Sequence, residues 1–153
     1  MHNNSVVLKE KLYQMFILGV GNNLYSALNN GLGGVIFFTK DIESEKQFKN
    51  LISEIKNIAK IPPFLSIDQE GGRVERTENI YCSKKYLSAK FAYEKGLDYL
   101  SNQTRQIAQE LKDFGINLNF APCIDTNTNP NNPIIGERAF SSDPDEVIEG
   151  ERI

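Results

Sequence analysis

Asp68 leaves the apolar run Phe64-Leu65-Ser66-Ile67 and opens the polar stretch Asp68-Gln69-Glu70-Gly71-Gly72-Arg73, with Arg76 close behind. Carboxylates and guanidinium groups beside a glycine pair can build a site for a hydroxyl-rich ligand. A carboxylate accepts hydrogen bonds from two neighbouring hydroxyls, and an arginine offers five donors in a fixed fork. Gly71 and Gly72 permit tight or positive-φ turns that would project these groups over a pocket. The same residues also suit a charged surface turn, and the residue types alone leave both readings open. Arg73 and Arg76 need not point the same way, and each could equally serve the surface or an ion pair. Farther on, Gly136-Glu137-Arg138 follows a loop rich in asparagine and proline. Arg138 suits hydroxyls or an acetamido oxygen, or the pinning of its own loop through backbone carbonyls. Asp125 could take a ligand or cap its loop by an Asx-turn, and the asparagines from Asn127 to Asn132 read as turn chemistry.

Other chemistries lack their parts. His2 is the only histidine and stands at the extreme start, so no Ser-His-Asp set is available. A metal-dependent hydrolase built on Asp68, Glu70 and Asp125 would have no histidine support. Cys82 and Cys123 lie far apart and outside any C-x-x-C pair, which reads as two free thiols in a reducing compartment. Gly31, Gly33 and Gly34 precede an apolar run. A dinucleotide fingerprint needs them after a strand, so no nucleotide cofactor is expected, nor any other. A net charge of -3 with interspersed lysines and acids gives no footprint for nucleic acid or a membrane surface. The apolar run Met15 to Val20 falls short of the roughly 20 residues a membrane span needs. No small-residue cleavage site follows it, so the expected compartment is the cytoplasm.

These groups need strands to carry them. A helix is expected over 5–18, with Ser5 as cap and Leu8, Leu12, Met15 and Phe16 on one face. A second should run from Leu24 to Asn30 and stop at Gly31. Gly33-Gly34-Val35-Ile36-Phe37-Phe38 reads as a strand buried on both faces, the parallel-sheet pattern. Ser44-x-x-Gln47 is a capping box before a helix carrying Phe48, Leu51, Ile52, Ile55 and Ile58, which Pro62-Pro63 terminates. Phe64 to Ile67 is a second strand. Residues 77–92 resist assignment. Leu97 to Phe114 form an amphipathic helix ended by Gly115, and Ile116 to Phe120 a third strand. Asp143-Pro144-Asp145-Glu146 starts a helix with cap, N1 proline and capping-box acid. Strands alternating with helices imply a parallel sheet with right-handed crossovers, as a doubly wound sheet or a (β/α) barrel. In either, ligands sit at the carboxyl ends of strands. That is where Asp68, Arg76 and Arg138 fall.

Four segments occur in order: Gly33 to Phe38; Ile67-Asp68-Gln69-Glu70-Gly71-Gly72-Arg73-Val74-Glu75-Arg76; Gly115 to Asp125; and Ile135-Gly136-Glu137-Arg138-Ala139-Phe140 followed by Ser142-Asp143-Pro144. Together they resemble the N-terminal catalytic domain of glycoside hydrolase family 3. The Glu-Gly-Gly-Arg-Val run is most like its bacterial β-N-acetylhexosaminidase branch, which works in cell-wall recycling. The resemblance implies a partial TIM-type (β/α) barrel with about three of its eight strands. It implies that residues 1–153 are the N-terminal part of that domain, and the helix begun at Asp143, which meets no stop signal by Ile153, reads as an element cut short. It implies that Asp68, Arg76 and Arg138 contact the sugar of a small N-acetylglucosaminide. In that branch the nucleophile is a late aspartate and the acid/base a histidine beyond a Lys-His-Phe-Pro-Gly-His-type motif. Neither motif occurs here, so this chain alone is expected to be inactive. Two functions follow as expectations: part of a retaining β-N-acetylhexosaminidase, or a non-catalytic sugar-binding or vestigial barrel fragment.

Overall fold

The structure is a computed structural model that describes residues 3–80 and 85–153, with side chains from residue 7 onward. Cys82, His2 and the side chain of Ser5 therefore lie outside the described residues. The first helix, α1, covers Asn3–Gln14 and stops short of the expected end. The residues beyond it form a strand, β1, Ile17–Gly19. The physical reason lies across the chain. Gly33 and Gly34 donate to the carbonyls of Tyr13 and Phe16, at 3.0 and 3.1 Å, and take the backbone out of the helical path. The apolar face expected on this helix faces outward, with Met15 78% and Phe16 58% exposed.

Next come α2, Leu24–Asn29, and β2, Gly34–Phe37, whose Val35 and Phe37 are fully buried. The third helix, α3, covers Glu45–Ile58. Its cap is half as expected: Ser44 Oγ accepts from the Gln47 N–H at 3.2 Å, while Gln47 Oε1 reaches past the cap to the Glu43 N–H at 3.0 Å. Then β3, Phe64–Ile67, runs beside β2, and its buried Ser66 hydroxyl donates to the Val35 carbonyl at 2.9 Å. The stretch that resisted assignment, 77–92, runs into a short helix, α4, Ala89–Glu94. The long amphipathic helix is α5, Leu97–Phe114, closed by Gly115 at φ +84°. The strand after it, β4, is only Leu118–Asn119. Two side chains complete its ladder. Asn117 Oδ1 accepts from the Leu65 N–H at 2.8 Å, and the Asn119 amide exchanges two 3.0 Å hydrogen bonds with the backbone of Gln69. The last helix, α6, covers Pro144–Glu151. Asp143 caps it by accepting from the Asp145 N–H at 2.9 Å, whereas the Glu146 carboxylate turns to the Ser141 hydroxyl instead of closing a capping box.

Among the described residues the sheet has four strands, one more than the sequence suggests, in the order β1-β2-β3-β4 and all parallel. A doubly wound sheet reverses strand order at a switch point. No reversal occurs among these strands, so the sheet is an open arc of the barrel type. Helices α2, α3 and α5 pack on the sheet through a core in which Phe48 lies edge-on to Phe37, centroids 5.1 Å apart, and tilted against Phe114 at 5.3 Å. Burying a side chain such as Phe48 contributes about 2–3 kcal/mol. A second cluster, Ala92, Leu100, Phe140 and Val147, fastens α4 and α6 to α5.

Candidate functional site

Asp68 follows the last residue of β3, at the carboxyl end of the sheet. The chain then turns back through Gly71 at φ +94° and Gly72 at φ +59°. Gly71 and Val74 close a narrow bridge, each N–H donating to the other's carbonyl at 3.2 Å. The turn lies hard against the 86–88 segment: the Gly72 N–H donates to the Tyr86 carbonyl at 2.9 Å. A side chain on Gly71 would begin 2.4 Å from the Leu87 carbonyl oxygen. Only glycine combines that conformation with that approach.

This turn brings Arg76 back to Asp68. Arg76 Nη2 stands 3.3 Å from Asp68 Oδ2, and the guanidinium carbon lies 5.6 Å from the centre of the Phe38 ring, at the end of β2. The two arginines of this loop diverge. Arg73 swings outward to the 133–135 segment and donates to the carbonyls of Pro133 and Ile134, with Ile135 at 3.4 Å.

Arg138 arrives from the far side of that segment. Its Nε and Nη2 donate to the two oxygens of Glu70 at 2.8 and 2.6 Å, a two-bond fork. The Glu70 side chain is 5% exposed and that of Arg138 23%. The hydrogen bonds to Glu70 raise the guanidinium's pKa further above its already high value, opposed by burial. Loop pinning falls chiefly to Arg73, with Arg138 adding one contact to the Ile134 carbonyl at 3.3 Å.

Asp68, Arg76 and Arg138 thus occupy one end of the sheet. Glu70, which aligns Arg138, was not legible as its partner; its signal was a second carboxylate just ahead of the glycine pair. Asp125 stays exposed, its Oδ2 3.7 Å from Cys123 Sγ. The asparagine run does carry turn chemistry: Asn129 and Asn132 side chains accept from the N–H groups of Asn131 and Ile134, at 3.1 and 2.9 Å. Among the described residues no group of three or more His, Cys, Asp or Glu is placed to hold a metal ion. A cavity of about 580 Å³ lies beside β4 and α5, bordered by Glu70 but walled largely by Leu100, Ile107, Leu111, Ile116 and Phe140. Those walls match a hydroxyl-rich ligand poorly.

Beneath the rim, burial pushes the Glu75 carboxyl above the usual range, opposed by hydrogen bonds from Gln69 and Thr77. A carboxyl whose folded pKa is raised is favoured in its protonated form. Its contribution to stability is therefore full below the unfolded pKa and is lost as pH rises through the folded one. Glu75→Gln is accordingly expected to raise the melting temperature relative to wild type at pH 7 and to lose that advantage near pH 4. An advantage that is the same at both values would show that burial of this charge costs nothing.

The glycosyl hydrolase family 3 N-terminal domain model matches residues 7–150. A β-hexosaminidase A from Pseudoalteromonas piscicida is 38% identical over 121 residues, covering 74% of this chain and 20% of that protein. A family 3 β-N-acetylglucosaminidase from Paenibacillus sp. str. FPU-7 superposes with a TM-score of 0.79 at 30% identity, over 95% of this chain and 31% of that one. NagZ from Neisseria gonorrhoeae, in complex with N-trifluoroacetyl-D-glucosamine, does so with a TM-score of 0.73 at 25% identity, over 88% of this chain and 43% of that one. The chain thus spans less than half the length of each of these relatives. Among the described residues no helix is long and apolar enough to cross a membrane.

Proposed function

The chain belongs to glycosyl hydrolase family 3, matching its N-terminal domain over residues 7–150, and from that premise we propose that its rim holds a terminal N-acetylhexosamine during cleavage of a β-glycoside. One observation carries the reading. Two carboxylate–guanidinium pairs, Asp68–Arg76 and Glu70–Arg138, stand at the same end of a parallel arc of strands. Asp68 accepts from neighbouring hydroxyls. Arg76, steadied by Asp68 and the Phe38 face, donates to the ring substituents. Arg138 has its Nε committed to Glu70 and turns remaining N–H groups toward a hydroxyl or the acetamido oxygen. The substrate class is a small N-acetylglucosaminide of cell-wall or chitin type. The relatives named above as β-hexosaminidase and β-N-acetylglucosaminidase support it, as does a neighbour that holds a glucosamine derivative.

Retaining hydrolysis needs a nucleophile and a proton donor flanking the bond, around an oxocarbenium-like transition state. We place both outside residues 1–153, which leaves this segment the holding part of a larger (β/α) barrel domain, and we place that protein in the cytoplasm. Groups that only hold the sugar do not supply the two-step covalent route.

Titration of the chain with N-acetylglucosamine, followed by NMR, should give weak saturable binding, with Kd on the order of 1 mM, or about -4 kcal/mol. Asp68→Ala should weaken it at least about tenfold, the loss of hydrogen bonds to a charged group. No nitrophenol should be released from a nitrophenyl N-acetylglucosaminide. Turnover that co-purifies with the chain and disappears in Asp68→Ala would overturn the placement of the reacting groups, and absence of any sugar binding would overturn the reading itself.

A further inference from the structure

The two arginines of the rim are held very differently. Arg138 sits in a two-bond fork with Glu70. Among the described residues Arg76 has one longer bond, 3.3 Å to Asp68, and its buried Nε has no hydrogen-bond partner. With only that bond and the Phe38 face to steady it, the guanidinium depends on its backbone for its position. That backbone is anchored by one residue, Gln69, which is 2% exposed.

Every polar group of Gln69 is engaged. Its N–H and carbonyl are paired with the Asn119 amide, at 3.0 Å each. Its Oε1 accepts from the Arg76 N–H at 2.6 Å and from the Thr77 N–H at 3.4 Å. Its Nε2 donates to Glu75 Oε1, which also accepts from the Thr77 hydroxyl at 2.8 Å. Donors and acceptors fit in one sense only. The atom facing the two N–H groups must be an acceptor, and the atom facing Glu75 must be a donor. Asp68 precedes Gln69 directly, so this side chain spans the loop from one member of the Asp68–Arg76 pair to the other.

Building on the reading of the rim as a sugar site, we propose that Gln69 and Glu75 are a positioning pair that sets Arg76 against Asp68 for the sugar. The amide acts as a crossbar, and Glu75 is the abutment that fixes which way the amide faces. The pair touches no ligand. It decides whether the Asp68–Arg76 geometry exists before the sugar arrives, so that binding need not order the loop.

The test is an exchange of partners. Gln69→Glu keeps the acceptor for Arg76 and Thr77 but sets a carboxylate against Glu75. Adding Glu75→Gln restores a donor facing an acceptor, with its direction reversed. N-acetylglucosamine binding and melting temperature are measured for wild type, Gln69→Glu and the double variant. The single variant should weaken binding at least about tenfold, and the exchange should recover it to within about threefold of wild type. Should the single variant fail to fold, the double variant decides alone. A double variant that melts like wild type but binds as poorly as the single one would overturn the proposal, as would a Gln69→Glu chain that binds normally. A wild-type chain that takes up no sugar would instead overturn the functional reading, and this use of the pair with it.

Discussion

Arg138→Ala is expected to destabilise the chain by about 3 kcal/mol, well beyond what losing an exposed ion pair would cost. The reason is its partner. Glu70 keeps 5% of its side-chain surface, so truncating the arginine strands a carboxylate that water can scarcely reach. Breaking a buried pair on one side costs roughly 3–5 kcal/mol, and the 23% exposure of Arg138 argues for the lower end of that range. Urea unfolding should show the midpoint falling with its slope unchanged. Adding Glu70→Gln should return most of the loss, because the stranded charge is then gone. Sugar binding should not return, because the fork that presents donors to the ligand is absent. A single variant as stable as wild type would mean that Glu70 finds water or another cation when Arg138 is removed. Recovery of binding in the double variant would argue that Arg138 merely braces its loop.

Gly71→Ala should cost a similar amount by a different route, about 3 kcal/mol. At φ +94° any L-residue is strained, and here the new methyl would also meet the Leu87 carbonyl oxygen at 2.4 Å. Backbone on both sides of that contact leaves no flexible side chain to give way. Gly96 is the natural control. Its φ is +102°, but nothing lies within 4 Å of where a Cβ would be. Gly96→Ala should therefore show a conformational cost without a clash, about 2 kcal/mol, because its ψ of +158° completes a backbone region essentially reserved for glycine. The difference between the two variants isolates the close approach, and equal losses would show that the 86–88 segment simply moves aside. Gly71→Ala should also weaken sugar binding, because Glu70 and Arg73 flank the turn that it distorts.

The parts of this architecture that the sequence displays are those with a local signature. Val35 and Phe37 lie in an apolar run behind glycines, Phe48, Ile52 and Ile55 recur at helical spacing, and Gly115 stops a helix. Ile17–Gly19 lies in the apolar run from Met15 to Val20, which follows directly on the helical residues before it, so nothing local marks where helix gives way to strand. Their extended conformation is imposed from outside, by pairing with Gly34 to Ile36. The short helix Ala89–Glu94 is likewise held by tertiary contacts, Ala92 against Leu100 and Phe140. Strand ends followed by polar loops pointed to Asp68, Arg76 and Arg138. Pairings were not visible: nothing in local spacing says that Glu70 meets Arg138, or that Arg73 rather than Arg138 carries most of the loop's carbonyls.

The asparagine side chains that finish the β4 ladder also settle its alignment, which two residues of strand could hardly do unaided. Slide the segment by one position and Ile116 with Leu118, or Leu118 with Phe120, would stand where Asn117 and Asn119 stand now. Slide it by two and either Gly115 or Ala121 takes one of those places. In every such case a main-chain N–H, of Leu65 or Gln69, faces hydrocarbon or nothing at all, at a penalty of about 1–3 kcal/mol. The two amides work like the teeth of a key, admitting a single setting of the segment that leads out to Cys123 and Asp125.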